Sequence, residues 1–397
     1  MRVLLIHRDI GTGSVGKIVE DLYFGLKRNG DECKIAYGFL NKSSIDADDL
    51  YSVCSPFDIK MHAFLSKITD RSAFYGKKNT KRLISFIKEY NPDIIHIHGS
   101  YGYWLDISVL YPFLASYKAK TVITLHSCWD FTGHCCYFTK SQCDLWKTKC
   151  QKCPSKKDYP QSIFLDRSAK NFTEKKRLFK SFRNLSFIAP SAWMKKTAEE
   201  SFIKSFKIEV IENGIDLNSF KPSTTNLDKY GVDGSKKIIL GVASGWDDRK
   251  GLNDFLELAS VVDDSIQIVL VGLSKKQKRK IPKKIIAITR TDSKNELAAL
   301  YSTATVFFNP TYEDNYPTVN LEALACGTRV VTYNVGGSPE IINKTNCGFV
   351  INKRDFKELI RIVNLPYEKN RILRVADSIS NTLMIRKHLD FYKSLLN

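Results

Sequence analysis

Two acidic side chains, Asp314 and Glu322, bracket a short segment within Asn309–Ile342, NPTYEDNYPTVNLEALACGTRVVTYNVGGSPEII. Carboxylates are poor neighbours for phosphate but good acceptors for hydroxyls, so Glu322 suits a ribose and Asp314 suits a sugar hydroxyl. Pro317 and Thr318 open a run of helix formers, Val319 to Ala325, which Gly327 can end with a positive φ. Arg329 to Tyr333 reads as a buried strand, and after Gly336 and Gly337 a second helix starts with Ser338 as cap and Pro339 in its first turn. Unpaired N–H groups and the positive end of the helix dipole make such starts natural seats for phosphate, and glycine lets a ligand approach. A nucleoside diphosphate carrying a sugar fits this combination. A plainer reading stands beside it: acidic residues also serve simply to complement a helix start.

Other candidates lie at strand ends. Thr121–Leu125 is a strand that ends in His126, which places an imidazole where ligands bind in open parallel sheets. His96 and His98 share one face of the strand Ile94–His98. His96 is expected in the core, and His98, nearer the carboxyl end, is expected to reach the cleft. Tyr101, Tyr103 and Trp104 follow, as stacking surfaces for a sugar or as packing. The loop Asp9–Gly16 carries Gly11, Gly13 and Gly16 between a strand, Arg2–Ile6, and a helix, Lys17–Arg28. Strand, glycine loop and helix form a phosphate-receiving arrangement, although glycine also serves turns of no such purpose. Arg249 and Lys250 stand in a loop after another strand, Lys237–Val242, and supply cations.

Cysteines concentrate directly after His126. Cys150 and Cys153 have knuckle spacing, and Cys136 and Cys143 complete four thiolates for a structural zinc; reduced buried thiols or a disulfide pair are the alternatives. Four protein ligands leave no open position, so such a metal would pin the segment rather than catalyse.

Asp314, seven intervening positions, Glu322-Ala-Leu-Ala-Cys-Gly327 and the downstream Gly336-Gly337-Ser-Pro-Glu340 together resemble the signature of the family 4 retaining glycosyltransferases of GT-B fold. The resemblance implies an α/β protein of two Rossmann-like domains facing each other across a cleft. It also implies transfer of a hexose from a nucleotide-diphosphate sugar to a saccharide acceptor, lipid-linked and destined for a cell-surface polysaccharide. His126, Asp314 and Glu322 then form the catalytic set. Gly13, Gly16, His98, Arg249, Lys250, Asn315, Tyr316, Thr318 and Glu340 bind substrate or nucleotide. Lys250 before Gly251 matches the family's pattern. The family's arginine is missing, with Ser244 and Gly245 near its position, and Arg249 is the candidate replacement. Helix starts, the glycine loop and Lys250 would neutralise the departing diphosphate, so no catalytic metal is expected. The cysteine-rich insertion, 128–153, with its TLH, FTG, WKT and CP residues, resembles a polysaccharide-biosynthesis branch of the family.

Composition agrees with a folded two-domain enzyme. The 397 residues exceed one ordinary domain, and 43% are hydrophobic. Strands alternate with helical stretches in two sets, which implies helix-covered parallel sheets. The domains are expected at 1–213 and 214–375, with a helix at 376–397 crossing back to the first. A formal charge of +19 implies an acidic partner. Basic stretches at Lys77–Arg82 and Lys170–Arg183 suit an anionic membrane surface, and Lys275–Lys284 reads as a solvated loop. No apolar run is long enough to span a bilayer, and the N-terminus lacks a signal-peptide pattern, so the chain is expected in the cytoplasm with reduced cysteines. Two competing readings are a nucleotide-sugar epimerase and a basic nucleic-acid-binding protein. The acidic pair argues against the first. No helix-turn-helix or aromatic RNA-binding signature supports the second, and nucleic acid is not an expected partner.

Overall fold

The computed structural model describes residues 1–366 and 368–397. They form two compact units, Met1–Glu212 with Ile385–Asn397, and Asn213–Met384. Each is built on one parallel sheet with helices on its faces.

In the first unit the strands are β1 (Arg2–Ile10), β2 (Glu32–Leu40), β3 (Leu50–Ser52), β4 (Ile94–Ile97), β5 (Lys120–Thr124), β6 (Leu185–Ala189) and β7 (Lys207–Val210), in the order β3-β2-β1-β4-β5-β6-β7. The second unit contains β8 (Lys237–Val242), β9 (Ile266–Val271), β10 (Ile285–Ile288), β11 (Val306–Asn309), β12 (Val330–Tyr333) and β13 (Gly348–Ile351), in the order β10-β9-β8-β11-β12-β13. Central strands such as Val3–Ile6 and Val306–Phe308 are fully buried. Their unbroken apolar runs are what a parallel sheet covered on both faces requires.

The strand order reverses beside β1 and β4 in the first sheet, and beside β8 and β11 in the second. At such a point neighbouring connections leave on opposite faces and open a crevice at the carboxyl ends. The topology therefore selects four loops. They follow Ile10, Ile97, Val242 and Asn309, and each contains residues singled out from the sequence.

Several elements differ from expectation. The first helix starts at Gly13, four residues before Lys17. The basic run after β9 is not all loop: Ser274 and Gln277 form a capping box that starts one turn, Lys275–Lys278. The second helix after the acidic segment, Ser338–Thr345, is capped by Gly337 and not by Ser338. The terminal helix spans Asn381–Leu396 after a separate short turn at Ala376–Ile379. Residues 385–397 pack within the first unit. There the Ile385 methyl occupies the space that a Cβ on Gly25 would need, at 2.4 Å, and Lys387 pairs with Glu212 at 2.6 Å.

Candidate active site

In the second unit the loops after β8 and β11 are bound to each other. The Tyr312 amide donates to the Arg249 carbonyl at 2.8 Å, and Arg249 Nη1 donates to the Glu313 carbonyl at 3.1 Å. Lys250 Nζ reaches Asp314 Oδ2 at 2.5 Å. The backbones meet this closely because residue 251 is glycine: at φ +77°, a Cβ there would lie 2.4 Å from the Pro310 carbonyl oxygen. Gly336 does the same on the other side. Its φ is +58°, and a Cβ would fall 1.8 Å from the Asp314 carbonyl oxygen, to which the Gly337 amide donates at 3.3 Å. Asp314 is therefore seated by two loops at once.

The helix Thr318–Ala325 starts beside this loop with no side-chain cap, and its first turn is closed by the Asn320 amide donating to the Pro317 carbonyl at 3.2 Å. Asn315, Tyr316 and Thr318 are buried. Tyr316 packs into the core of the second unit, and its carbonyl accepts from Asn213 Nδ2 at 3.0 Å, which fixes the approach to the helix start. One turn on, Glu322 Oε2 accepts from the Tyr301 hydroxyl at 2.8 Å. Burial raises the Glu322 carboxyl from 4.5 to about 7, against the opposing pull of that hydrogen bond. At the neighbouring helix start the Ser338 hydroxyl is buried, with no partner among the described residues, and the Glu340 amide donates to Gly337 O at 3.1 Å. Tyr301, which positions the Glu322 carboxyl, is a partner that the sequence did not reveal. It lies in the helix Lys294–Thr303, and nothing in its local spacing announces Glu322.

The first unit gathers histidines at the ends of β1, β4 and β5. His98 Nδ1 lies 3.0 Å from His126 Nε2. The His7 ring contacts the His98 carbonyl at 2.6 Å. His96 is held by Tyr392 on one side at 2.5 Å and by Thr124 on the other at 2.7 Å. Burial lowers His126 to about 3 and His7 to about 4, and holds His96 and His98 well below the usual imidazole value. These rings are neutral near pH 7.

The expectation that His98 reaches a ligand is corrected: it is 1% exposed. β4 ends one residue earlier than the alternation suggested, and His98 turns under His126, which keeps partial exposure. Trp104 and Tyr103 are likewise buried packing, although Tyr103 and Tyr101 both touch the Tyr159 ring. Arg8 links that ring to the strand ends by donating to Tyr159 Oη at 3.3 Å and to the Gly102 carbonyl at 3.0 Å. In the glycine loop, Gly13 has φ +69° with open space around a would-be Cβ, and Gly16 lies against the Asp9 carbonyl. The helix that begins at Gly13 has no side-chain cap, and its dipole turns its positive end toward this loop.

The cysteines do not meet the zinc expectation. Among the described residues no group of three or more His, Cys, Asp or Glu side chains is placed to hold a metal ion. Instead the free Cys135 and Cys153 thiols are hydrogen-bonded to each other, and Cys150 Sγ accepts from the Gly133 amide at 3.2 Å. Cys136 and Cys143 are only partly buried. Other groups anchor the segment. His134 pairs with Asp70 in the interior, and the buried Lys175 ammonium donates to the Trp129 and Thr132 carbonyls at 2.5 and 2.9 Å. Burial lowers Lys175 to about 7 and raises Asp130 to about 6.

Two family models match the chain in succession. Residues 15–219 match the model described as Glycosyltransferase Family 4, and residues 223–376 match Glycosyl transferases group 1. This chain belongs to glycosyltransferase family 4. The glycosyltransferase is 23% identical over 417 residues to the putative colanic acid biosynthesis glycosyl transferase WcaC of Escherichia coli K12, covering 100% of both chains. It is 26% identical over 182 residues to the N,N'-diacetylbacillosaminyl-diphospho-undecaprenol alpha-1,3-N-acetylgalactosaminyltransferase of Campylobacter jejuni, covering 43% of this chain and 48% of that one. Its fold matches Anabaena HepE, solved in complex with UDP-glucose, with a TM-score of 0.65 at 13% identity over 99% of this chain and 100% of the other. The glycosyltransferase thus has the GT-B fold expected from its sequence.

Proposed function

We propose that this glycosyltransferase moves a hexose, with retention, from a nucleotide-diphosphate sugar to a hydroxyl of a lipid-linked saccharide, in the building of a cell-surface polysaccharide. The observation that carries the reading is the Lys250–Asp314 pair, seated where the second sheet reverses its strand order and flanked by two helix starts. A cation, the positive ends of two helix dipoles and a carboxylate there match a diphosphate beside a sugar.

In this scheme Glu322 accepts from ribose hydroxyls, and Asp314 accepts from a sugar hydroxyl. Lys250, the Thr318 and Ser338 helix starts and the Gly11–Gly16 loop take up negative charge as the diphosphate leaves. Arg249 acts through the backbone by holding the loop that carries Asp314. The bond from anomeric carbon to diphosphate oxygen breaks, and the bond to the acceptor oxygen forms on the same face. The acceptor's proton passes to the departing phosphate. His126, neutral and partly exposed, supplies a hydrogen bond to the transferred sugar. Support for the donor class comes from the UDP-glucose held by Anabaena HepE. The names of the colanic acid and diphospho-undecaprenol relatives support the polysaccharide and lipid-linked acceptor. A cytoplasmic enzyme working at the inner face of the membrane fits this scheme.

A thermal-shift screen of nucleotide sugars tests the donor class, followed by product analysis with the stabilising donor. A rise in melting temperature with one nucleotide sugar and an α-linked product from an α-linked donor are expected. Donor conversion without any acceptor would indicate epimerisation instead.

A further inference from the structure

Tyrosine ordinarily buries its ring and leaves its hydroxyl in water. Tyr159 does the reverse. Its hydroxyl accepts from Arg8 Nη1 at 3.3 Å and lies against Gly102, where a Cβ would come within 3.3 Å of it. Burial pushes that hydroxyl up to about 12, against the opposing pull of Arg8. Yet the residue as a whole is 47% exposed, so the surface it offers to solvent is ring and not hydroxyl. Tyr101 and Tyr103 steady one side of the ring, in edge contacts with centroids 6.2 and 5.7 Å away. The turn that carries it is fixed as well. The Asp158 amide donates to the Ser155 carbonyl at 3.0 Å, the Ser162 amide to the Lys156 carbonyl at 2.9 Å, and the Ile163 amide to the Lys67 carbonyl at 2.7 Å. A ring held this firmly loses little conformational freedom when something is laid on it.

The ring stands at the strand ends of the first unit. Arg8 lies near the end of β1 and Gly102 in the loop after β4, where the strand order reverses. Tyr101 spans the interval from Tyr159 to the loop after β5, because its hydroxyl bonds Ser127, the neighbour of His126. Arg8 and Asp9 pair at 2.6 Å beside the ring, and both side chains stay partly exposed. An aromatic surface flanked by a guanidinium and a carboxylate suits a pyranose. The axial C–H bonds of one sugar face carry partial positive charge and meet the electron-rich ring, while hydroxyls bond the charged pair. A bare anion would be repelled by Asp9, and an apolar segment would strip water from both charges without replacing it.

We infer that Tyr159 is the platform on which the acceptor's terminal pyranose stacks, through a face of axial C–H bonds, and that Arg8 and Asp9 orient its hydroxyls. The stacking surface expected of Tyr103 and Trp104, which are buried, is thus supplied by a residue far later in the chain. That the stacked sugar is the acceptor rests on the proposed function; that the ring binds a pyranose does not.

The test is saturation-transfer difference NMR on the full chain with methyl β-D-glucopyranoside and methyl β-D-galactopyranoside, and with glucitol as an open-chain control. Transfer to the glycosides is expected, strongest at the three axial hydrogens H1, H3 and H5, with none to glucitol. Tyr159→Leu keeps bulk without a π surface and should weaken the transfer about fivefold, whereas Tyr159→Phe should retain most of it. Both variants should keep the wild-type melting temperature and the thermal response to nucleotide sugars. Uniform transfer over the glycoside ring of the wild-type chain, equal transfer to glucitol, or undiminished transfer in Tyr159→Leu would overturn the platform. A chain that answers to a nucleotide sugar but gives no transfer to either glycoside would overturn the platform and leave the proposed function standing. Glycoside binding through Tyr159 in a chain that answers to no nucleotide sugar would do the opposite.

Discussion

His98 lies beneath His126, with its Nδ1 3.0 Å from the Nε2 of its neighbour and its own far nitrogen buried without a partner. Because both rings are neutral, one donates and the other accepts, and the pair fixes the His126 ring and its tautomer. His98→Leu should therefore reduce turnover about tenfold to a hundredfold through misplacement of His126, while leaving donor affinity near wild type. His98→Asn should recover part of the loss. Steady-state kinetics combined with the nucleotide-sugar thermal shift separates the two effects. A variant that loses donor affinity and turnover in parallel would point to a general structural role.

Glu322 makes donor binding depend on pH. Its carboxyl titrates at about 7 in the folded chain against 4.5 in an ordinary setting, so the folded state holds an extra proton between those values. The ligand-free protein should lose stability as pH rises across that window. The ionised form is the stronger acceptor for ribose hydroxyls, so donor affinity should increase as pH rises through about 7. Glu322→Gln should flatten that profile and weaken donor binding by about 1.5–3 kcal/mol, the range for a hydrogen bond to a charged group. Isothermal titration with the stabilising nucleotide sugar at several pH values measures both.

Lys250 and Asp314 are 2.5 Å apart and partly exposed, so their mutual attraction contributes little to stability. Lys250→Ala should shift the melting temperature only slightly and reduce donor affinity tenfold or more, an estimate based on one lost charge-assisted contact to phosphate. Lys250→Arg is not expected to restore it fully, because a planar guanidinium and a compact ammonium direct their donors differently. Titration calorimetry alongside melting curves checks the division.

Gly336→Ala tests the close approach to Asp314. A methyl at φ +58° would meet the Asp314 carbonyl oxygen at 1.8 Å, so the loop must shift. Stability should fall by about 1–3 kcal/mol from backbone strain alone. Donor affinity should fall with it, whereas Gly234→Ala, which meets only the Thr303 methyl at 4.0 Å, should leave affinity unchanged.

Lys175→Met removes the ammonium that satisfies the Trp129 and Thr132 carbonyls. Orphaned buried acceptors cost about 1–3 kcal/mol each, so a substantial loss of melting temperature is expected. The stretch around Cys128–Cys153 should open first, detected as faster thiol labelling at Cys135 and Cys150, which are buried in the native protein.

The sequence announced the architecture because strand runs such as Ile94–Ile97 and Ile266–Val271 are short, apolar and β-branched, with glycine or proline near their ends. It left β3, β10 and β13 unread. Leu50–Ser52 is only three residues long, Ile285–Ile288 hides behind a basic run, and Gly348–Ile351 is half-exposed, so its pattern is diluted. Spacing along one helix placed Glu322 a turn beyond Thr318. Spacing could not reveal that Tyr301 would meet Glu322, or that Lys250 would meet Asp314, because those pairs form between separate elements. The cysteine segment shows the same limit: spacing suggested a thiolate set, while the Cys150 thiol accepts from the Gly133 amide and the neighbouring His134 pairs with the distant Asp70.

Tyr392 and Ile385 tie the end of the chain to the unit formed by its beginning. A ribosome must therefore release most of the protein before His96 finds its hydroxyl and the groove beside Gly25 is filled. The first half emerges early yet waits, incomplete, until the intervening unit has been synthesised. Maturation of the imidazole cluster thereby waits on synthesis of Ile385 and Tyr392.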